Sequence, residues 1–176
     1  ENQPIERHFA ALTEKYIGAP FLDNIPNHPK MTSEQKDQGK KWIKKHFKAI
    51  LPKDGMDWSI DGILELAKKA VYRYGIRGLV IDPWNELDHS RGAGMTETDH
   101  ISKCITKIRR FARIYEMHIW IVAHPTKLYR DSDGKYPVPT LYDVSGGAHW
   151  RNKADNGIVV WRNVGGVDEH VNDVHV

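Results

Sequence analysis

At 176 residues the chain has the usual length of one domain, and it is long enough to bury a substantial core. Charged residues at 28% and hydrophobic residues at 40% exclude a disordered chain. The net charge of +3 and pI near 8.9 permit a polyanionic partner without requiring one, and the single cysteine, Cys104, excludes an intrachain disulfide and fits a reducing compartment.

No apolar run approaches the length needed to span a bilayer and no signal peptide is visible, so the expected location is cytoplasmic, away from membranes. One domain over residues 1–176 is the expected organisation. The start at Glu1 without Met and the strand-like end, residues 171–176, look like cuts from a longer protein.

Residues 1–4 precede a helical pattern in which Ile5, Phe9, Leu12 and Tyr16 recur at spacings of three and four, ending before Gly18-Ala19-Pro20. Pro4 suits the first turn of that helix. Glu1 would project from a strand end just before it, as a catalytic carboxylate or as a frayed terminus. Residues 21–30 carry three prolines and form a loop. Thr32 with Gln35 is a capping-box pattern and opens a polar helix to about His46. Its lysines, Lys36, Lys40, Lys41, Lys44 and Lys45, either face nucleic acid or form a solvated helix face. Residues 47–51 read as a short strand ended by Pro52.

Ser59 can cap a helix striped by Ile60, Ile63, Leu64, Ala67, Val71 and Tyr74, and Gly75 closes it. Next comes Leu79-Val80-Ile81, three consecutive aliphatics that suit a central parallel strand covered on both faces. The strand ends on Asp82, and Pro83, lacking a backbone N–H, cannot continue the ladder. Ligands of such sheets bind at the carboxyl ends of the strands. Asp82 there either holds Mg²⁺ beside a nucleotide's phosphates, directly or through water, or caps the turn.

After a polar loop, Thr96 caps a long helix to about Tyr115, striped by Ile101, Ile105, Ile108 and Ala112. Cys104 lies in that stripe and reads as a buried thiol. The other face carries Lys103, Lys107, Arg109, Arg110 and Arg113. Residues 118–123, HIWIVA, are a second buried strand ending on His124-Pro125. Two helix-separated apolar strands that each end in a polar residue followed by proline follow βαβ logic with a functional edge. His124 either senses a γ-phosphate or is a hydrogen-bonded structural histidine. Residues 128–141 form a long polar loop, and loops of this length without structure are functional or mobile. Residues 143–147, DVSGG, lead into a short helix over 148–155, a third buried strand over 157–161, a hairpin-type turn at 163–168 and a final alternating strand.

Four segments, ENQP at 1–4, GLVIDPWNEL at 78–87, IVAHPTKL at 121–128 and DVSGGAHWRNKADNGIVVW at 143–161, agree in order and spacing with one family. The chain resembles the RecA-like motor domain of DnaB-type replicative DNA helicases, phage primase-helicases and Twinkle-like enzymes among them. The resemblance covers nearly the whole chain. It implies an α/β RecA-like P-loop NTPase core with a mostly parallel sheet flanked by helices, ATP and Mg²⁺ as cofactors, single-stranded DNA as partner and a homo-hexamer in the intact protein. By the same resemblance Glu1 orients and deprotonates the attacking water, Asp82 binds Mg²⁺ through its water shell, and His124 couples the γ-phosphate to DNA-binding loops. Arg151 matches a position near the adenine base, or else forms a salt bridge. Lys127, Arg130 and Lys135 would hold DNA phosphates in a central channel.

The chain departs from that family in having no G-x-x-x-x-G-K-[ST] phosphate loop. Gly39-Lys40 precedes Lys41, and Gly134-Lys135 precedes Tyr136. In the family that loop lies before the glutamate segment and the arginine finger lies after the last strands, so this chain looks like the middle of a motor. As an isolated fragment it is expected to hydrolyse ATP weakly or not at all. The alternatives are another RecA-fold ATPase, such as a recombinase, and a non-catalytic nucleic-acid-binding or assembly module.

Overall fold

The computed structural model describes residues 5–21, 28–51, 53, 55, 58–132, 134–162 and 172–176. They fall into two compact units, Glu1–Pro52 and Lys53–Val176.

In the first unit α1 (Ile5–Ile17) packs on α2 (Ser33–His46). The expected capping box opens α2. Thr32 Oγ1 accepts the Gln35 N–H at 3.2 Å and the Thr32 N–H donates to Gln35 Oε1 at 2.9 Å, so two otherwise orphaned donors are satisfied. Gly39 is the point of closest approach, since a Cβ there would lie 2.2 Å from Thr13 Cγ2. The buried Thr13 donates its hydroxyl back to Phe9 O at 2.7 Å, which leaves only its methyl for the contact. The strand expected over 47–51 does not form. Phe47 instead ends α2, its N–H donating to Ile43 O at 2.8 Å, and the described residues after it are irregular, with no neighbouring strand to hold them extended.

The second unit holds α3 (Ile60–Tyr74), β1 (Gly78–Ile81), α4 (Glu97–Ile114), β2 (His118–Ile121), α5 (Gly147–Lys153), β3 (Val159–Arg162) and β4 (Asn172–His175). Ser59 Oγ accepts from Gly62 N at the start of α3, Gly75 closes it in the left-handed region at φ 63°, and Thr96 Oγ1 accepts from Asp99 N at the start of α4. β1 and β2 are parallel, in register from Gly78 opposite His118 to Ile81 opposite Ile121. Helix α4 is the crossover between them, so the expected βαβ unit is present. The core joins Ile63, Leu64 and Ala67 of α3 to Leu79 and Ile81 of β1 and to Ile101, Ile105 and Ile108 of α4, with Trp84 and Trp150 at one end.

Two expectations about the sheet are corrected. β1 is not covered on both faces. Leu79 and Ile81 are buried while Val80 is 62% exposed, and on β2 Trp120 is 48% exposed. Nor is β3 a third buried strand of the parallel sheet. Among the described residues it pairs only with β4, antiparallel, and Val160 stands exposed. The expected turn at 163–168 lies outside the described residues.

Candidate nucleotide-binding edge

Because β1 and β2 run parallel in register, their carboxyl ends deliver Asp82 and His124 to the same sheet edge. The ladder continues past both strands. Val122 N donates to Ile81 O at 2.9 Å, and Trp84 N donates to Val122 O at 2.7 Å across the break that Pro83 imposes. One bond further along, the His124 backbone N–H donates to the Asn85 side chain, Oδ1, at 3.0 Å. Asn85 therefore ties the turn after Asp82 to the residue that ends β2.

Both site side chains are exposed at this edge. The Asp82 carboxylate makes no hydrogen bond or ion pair among the described residues, and the 3₁₀ turn that follows, Trp84–Glu86, has no side-chain cap. The capping role for Asp82 is thus not the one it plays. A free carboxylate at a strand end fits Mg²⁺, which keeps several waters and takes one or two carboxylates beside substrate phosphates. No group of three His, Cys, Asp or Glu among the described residues could hold a metal ion with protein ligands alone.

Trp84 anchors the edge from below. It is 3% exposed and meets Trp150 of α5 edge to face, ring centroids 5.1 Å apart. Trp150 donates its indole N–H to Ser145 O at 2.9 Å. The last of the four sequence segments is therefore packed directly against the turn that carries Asn85. Behind Trp84, His89 lies with its ring 4.8 Å away and Nε2 3.0 Å from Trp84 O. Burial, and then the neighbouring positive groups His89, Arg91 and Lys107, hold His100 below the usual histidine range against a weaker opposing pull from Asp88. Burial pushes the Cys104 thiol up, which agrees with the reading of an inert buried cysteine.

The loop beyond His124 is more ordered than its composition suggests. Thr126 bonds Asp143 O twice, through N at 2.6 Å and Oγ1 at 2.8 Å, and so pins the loop to the start of the last segment. Asp143 in turn closes a capping box with Thr140. At the tip, Asp131 N donates to Lys135 O, Gly134 N to Asp131 O and Lys135 N to Asp131 Oδ1, a tight turn. Arg130 donates to Gly134 O at 2.9 Å and stacks over Tyr136, while Lys127 lies over Tyr129. Lys127, Arg130 and Lys135 are thus gathered on one organised loop.

Arg151 is exposed on α5 and forms no ion pair among the described residues; it is Asp155 that is paired, to Arg109 at 3.2 Å. Glu1 lies outside the described residues. Sequence reasoning did not single out Asn85, Thr126 or the Trp84–Trp150 pair. The Thr140-x-x-Asp143 spacing was a readable cap signal, whereas the Asn85 contact joins residues on different strand ends and has no local signature.

No protein-family model matches the chain. Over 161 residues it is 48% identical to the Twinkle homolog protein, chloroplastic/mitochondrial, of Arabidopsis thaliana; the match takes in 90% of this chain and 22% of the relative, so the chain spans about a fifth of that relative's length. Among solved structures, the ATPase domain of a DnaB-like helicase superposes with a TM-score of 0.59 over 92% of this chain and 57% of that one, at 17% identity. That likeness shows the RecA-like fold.

Proposed function

We propose, from the premise that this homologue of the Arabidopsis relative belongs with the DnaB-type, Twinkle-like helicases, that the chain forms part of an ATP-driven motor that translocates on single-stranded DNA. Both compact units would serve one motor domain. The observation that carries this reading is the shared edge of Asp82 and His124, joined through Asn85.

Bound there, Mg²⁺ would neutralise charge developing on the phosphates of ATP. Asp82 would hold its water shell. His124, whose backbone is clamped while its side chain remains exposed, would face the terminal phosphate and pass its presence to the loop carrying Lys127, Arg130 and Lys135. These three cations suit the phosphates of single-stranded DNA, and the aromatic rings beside Lys127 and Arg130 suit its bases. Arg151 would lie toward the base of the nucleotide, and Glu1 would activate the attacking water. Assembly is proposed to be hexameric. The chain itself carries no phosphate-loop motif, so on its own it should turn over ATP weakly or not at all.

Among the described residues no helix is long and apolar enough to cross a membrane. The relative is named for chloroplast and mitochondrion, so the compartment proposed is a reducing interior, cytoplasm or organelle matrix.

The test is ATP turnover by the protein extended at both ends, with and without single-stranded DNA, beside an Asp82→Ala variant. Turnover that DNA stimulates and Asp82→Ala abolishes is expected. A folded, DNA-binding protein without turnover would replace this reading with the non-catalytic module.

A further inference from the structure

We infer a second contact surface for single-stranded DNA on the first unit, in the groove between the end of α1 and the second half of α2. This inference stands beside the proposed function and uses none of the residues of the nucleotide edge or its loop.

The groove is open, with a volume of about 660 Å³, and its walls include Tyr16, Trp42, Lys41 and Lys45. Tyr16 and Trp42 stack with centroids 4.3 Å apart and planes 4° from parallel. Tyr16 is nevertheless 41% exposed. With one ring face on Trp42, what remains open is its outer face and edge, a platform on which a base can extend the stack. Such stacking is sequence-tolerant because every base has a π-face.

Lys41, Lys44 and Lys45 surround that platform from successive turns of α2, all exposed and none in an ion pair among the described residues. The basic residues of α4 behave differently. Lys107 is held by Asp61 at 2.6 Å and Arg109 by Asp155. The acids that share the groove, Glu34 and Asp37, stand on the first half of α2, and Asp37 is paired to Lys40 at 3.5 Å. Charge therefore divides along the helix, and the cationic half coincides with the aromatic platform. Free cations beside an open aromatic face are the chemistry that binds unpaired nucleotides, whereas a duplex hides its base faces and offers phosphates alone.

Fluorescence anisotropy of a labelled oligothymidylate on the 176-residue chain tests the inference across a salt series. Two triple variants are compared, Lys41→Gln/Lys44→Gln/Lys45→Gln and Lys127→Gln/Arg130→Gln/Lys135→Gln, each checked for folding by circular dichroism. Removing the α2 lysines should weaken binding on the order of tenfold or more at low salt and flatten the salt dependence by about two in slope, as expected for three lost phosphate contacts. Native affinity and slope in the α2 variant overturn the inference, while a loss confined to the loop variant leaves the proposed function standing. A duplex competitor as effective as the single strand also overturns it, since the stacking platform would then contribute nothing.

Discussion

The side chain of Asn85 accepts the backbone N–H of His124 at 3.0 Å, a bond between the turn after β1 and the end of β2. The donor is a backbone group, so substituting His124 leaves the bond available while substituting Asn85 removes it. Asn85→Ala should lower thermal stability only slightly, by about 1 kcal/mol or less for a solvent-exposed bond. In the extended protein it should cut the DNA stimulation of ATP turnover more than the basal rate. Equal loss of both rates would make Asn85 a general support of the fold instead of a link between the two strand ends.

Trp84 and Trp150 hold the same edge through burial. Trp84→Ala should cost about 3–5 kcal/mol, as truncation of a buried aromatic does, with Trp150→Ala comparable. Because the rings touch, the double variant should lose less than the sum, by about 0.5–1.5 kcal/mol. Urea denaturation of the four proteins measures this, and strict additivity would contradict the contact.

Gly147 opens α5 against the preceding turn, and a Cβ there would sit 2.2 Å from Tyr142 O and 2.6 Å from Tyr142 Cα. Backbone cannot give way as a flexible side chain can. Gly147→Ala should therefore destabilise by about 1–3 kcal/mol, whereas Gly92→Ala, with open space around it, should be nearly neutral. Thermal melts of the two variants compare them directly.

His100 supplies a pH dependence. Its folded-state affinity for a proton is depressed, chiefly by burial and then by His89, Arg91 and Lys107. Above the ordinary histidine value of 6.5 it is neutral whether folded or unfolded, and its neutral form costs the fold nothing. As pH falls below that value the unfolded chain takes up the proton first, so stability declines until pH has passed the folded value. His100→Gln should flatten this part of the stability profile, and a profile unchanged by the substitution would assign the decline elsewhere.

The helices were legible because their signals are local. Thr32 with Gln35, Ser59, Gly75 and Thr96 are chemical punctuation within a few residues of the backbone groups they satisfy. The parallel pair was legible too, since Leu79 to Ile81 and Ile119 to Ile121 are apolar runs separated by a helix. What the runs do not carry is how many of their faces are covered. Val80 looks the same in sequence whether a helix lies over it or not, so its exposure was missed. The strand expected over 47–51 failed for a related reason, because a strand needs a neighbour to bond with and propensity cannot supply one. For the candidate site, Asp82 and His124 were identifiable from strand ends followed by proline. Asn85 was not, because its bond depends on the register between β1 and β2.

Lys153 projects from α5 onto α4, where its ammonium donates to Ser102 O at 2.8 Å, Ser102 Oγ at 2.7 Å and Thr106 Oγ1 at 2.7 Å. All three of its hydrogens are engaged and its charge is spread over neutral oxygens. Amine-reactive labels need a deprotonated, accessible nitrogen, so in the native fold this lysine should acquire them late, well after Lys41, Lys44 and Lys45. Its labelling rate is then a built-in reporter of whether α5 is seated on α4, readable by mass spectrometry without altering a single residue.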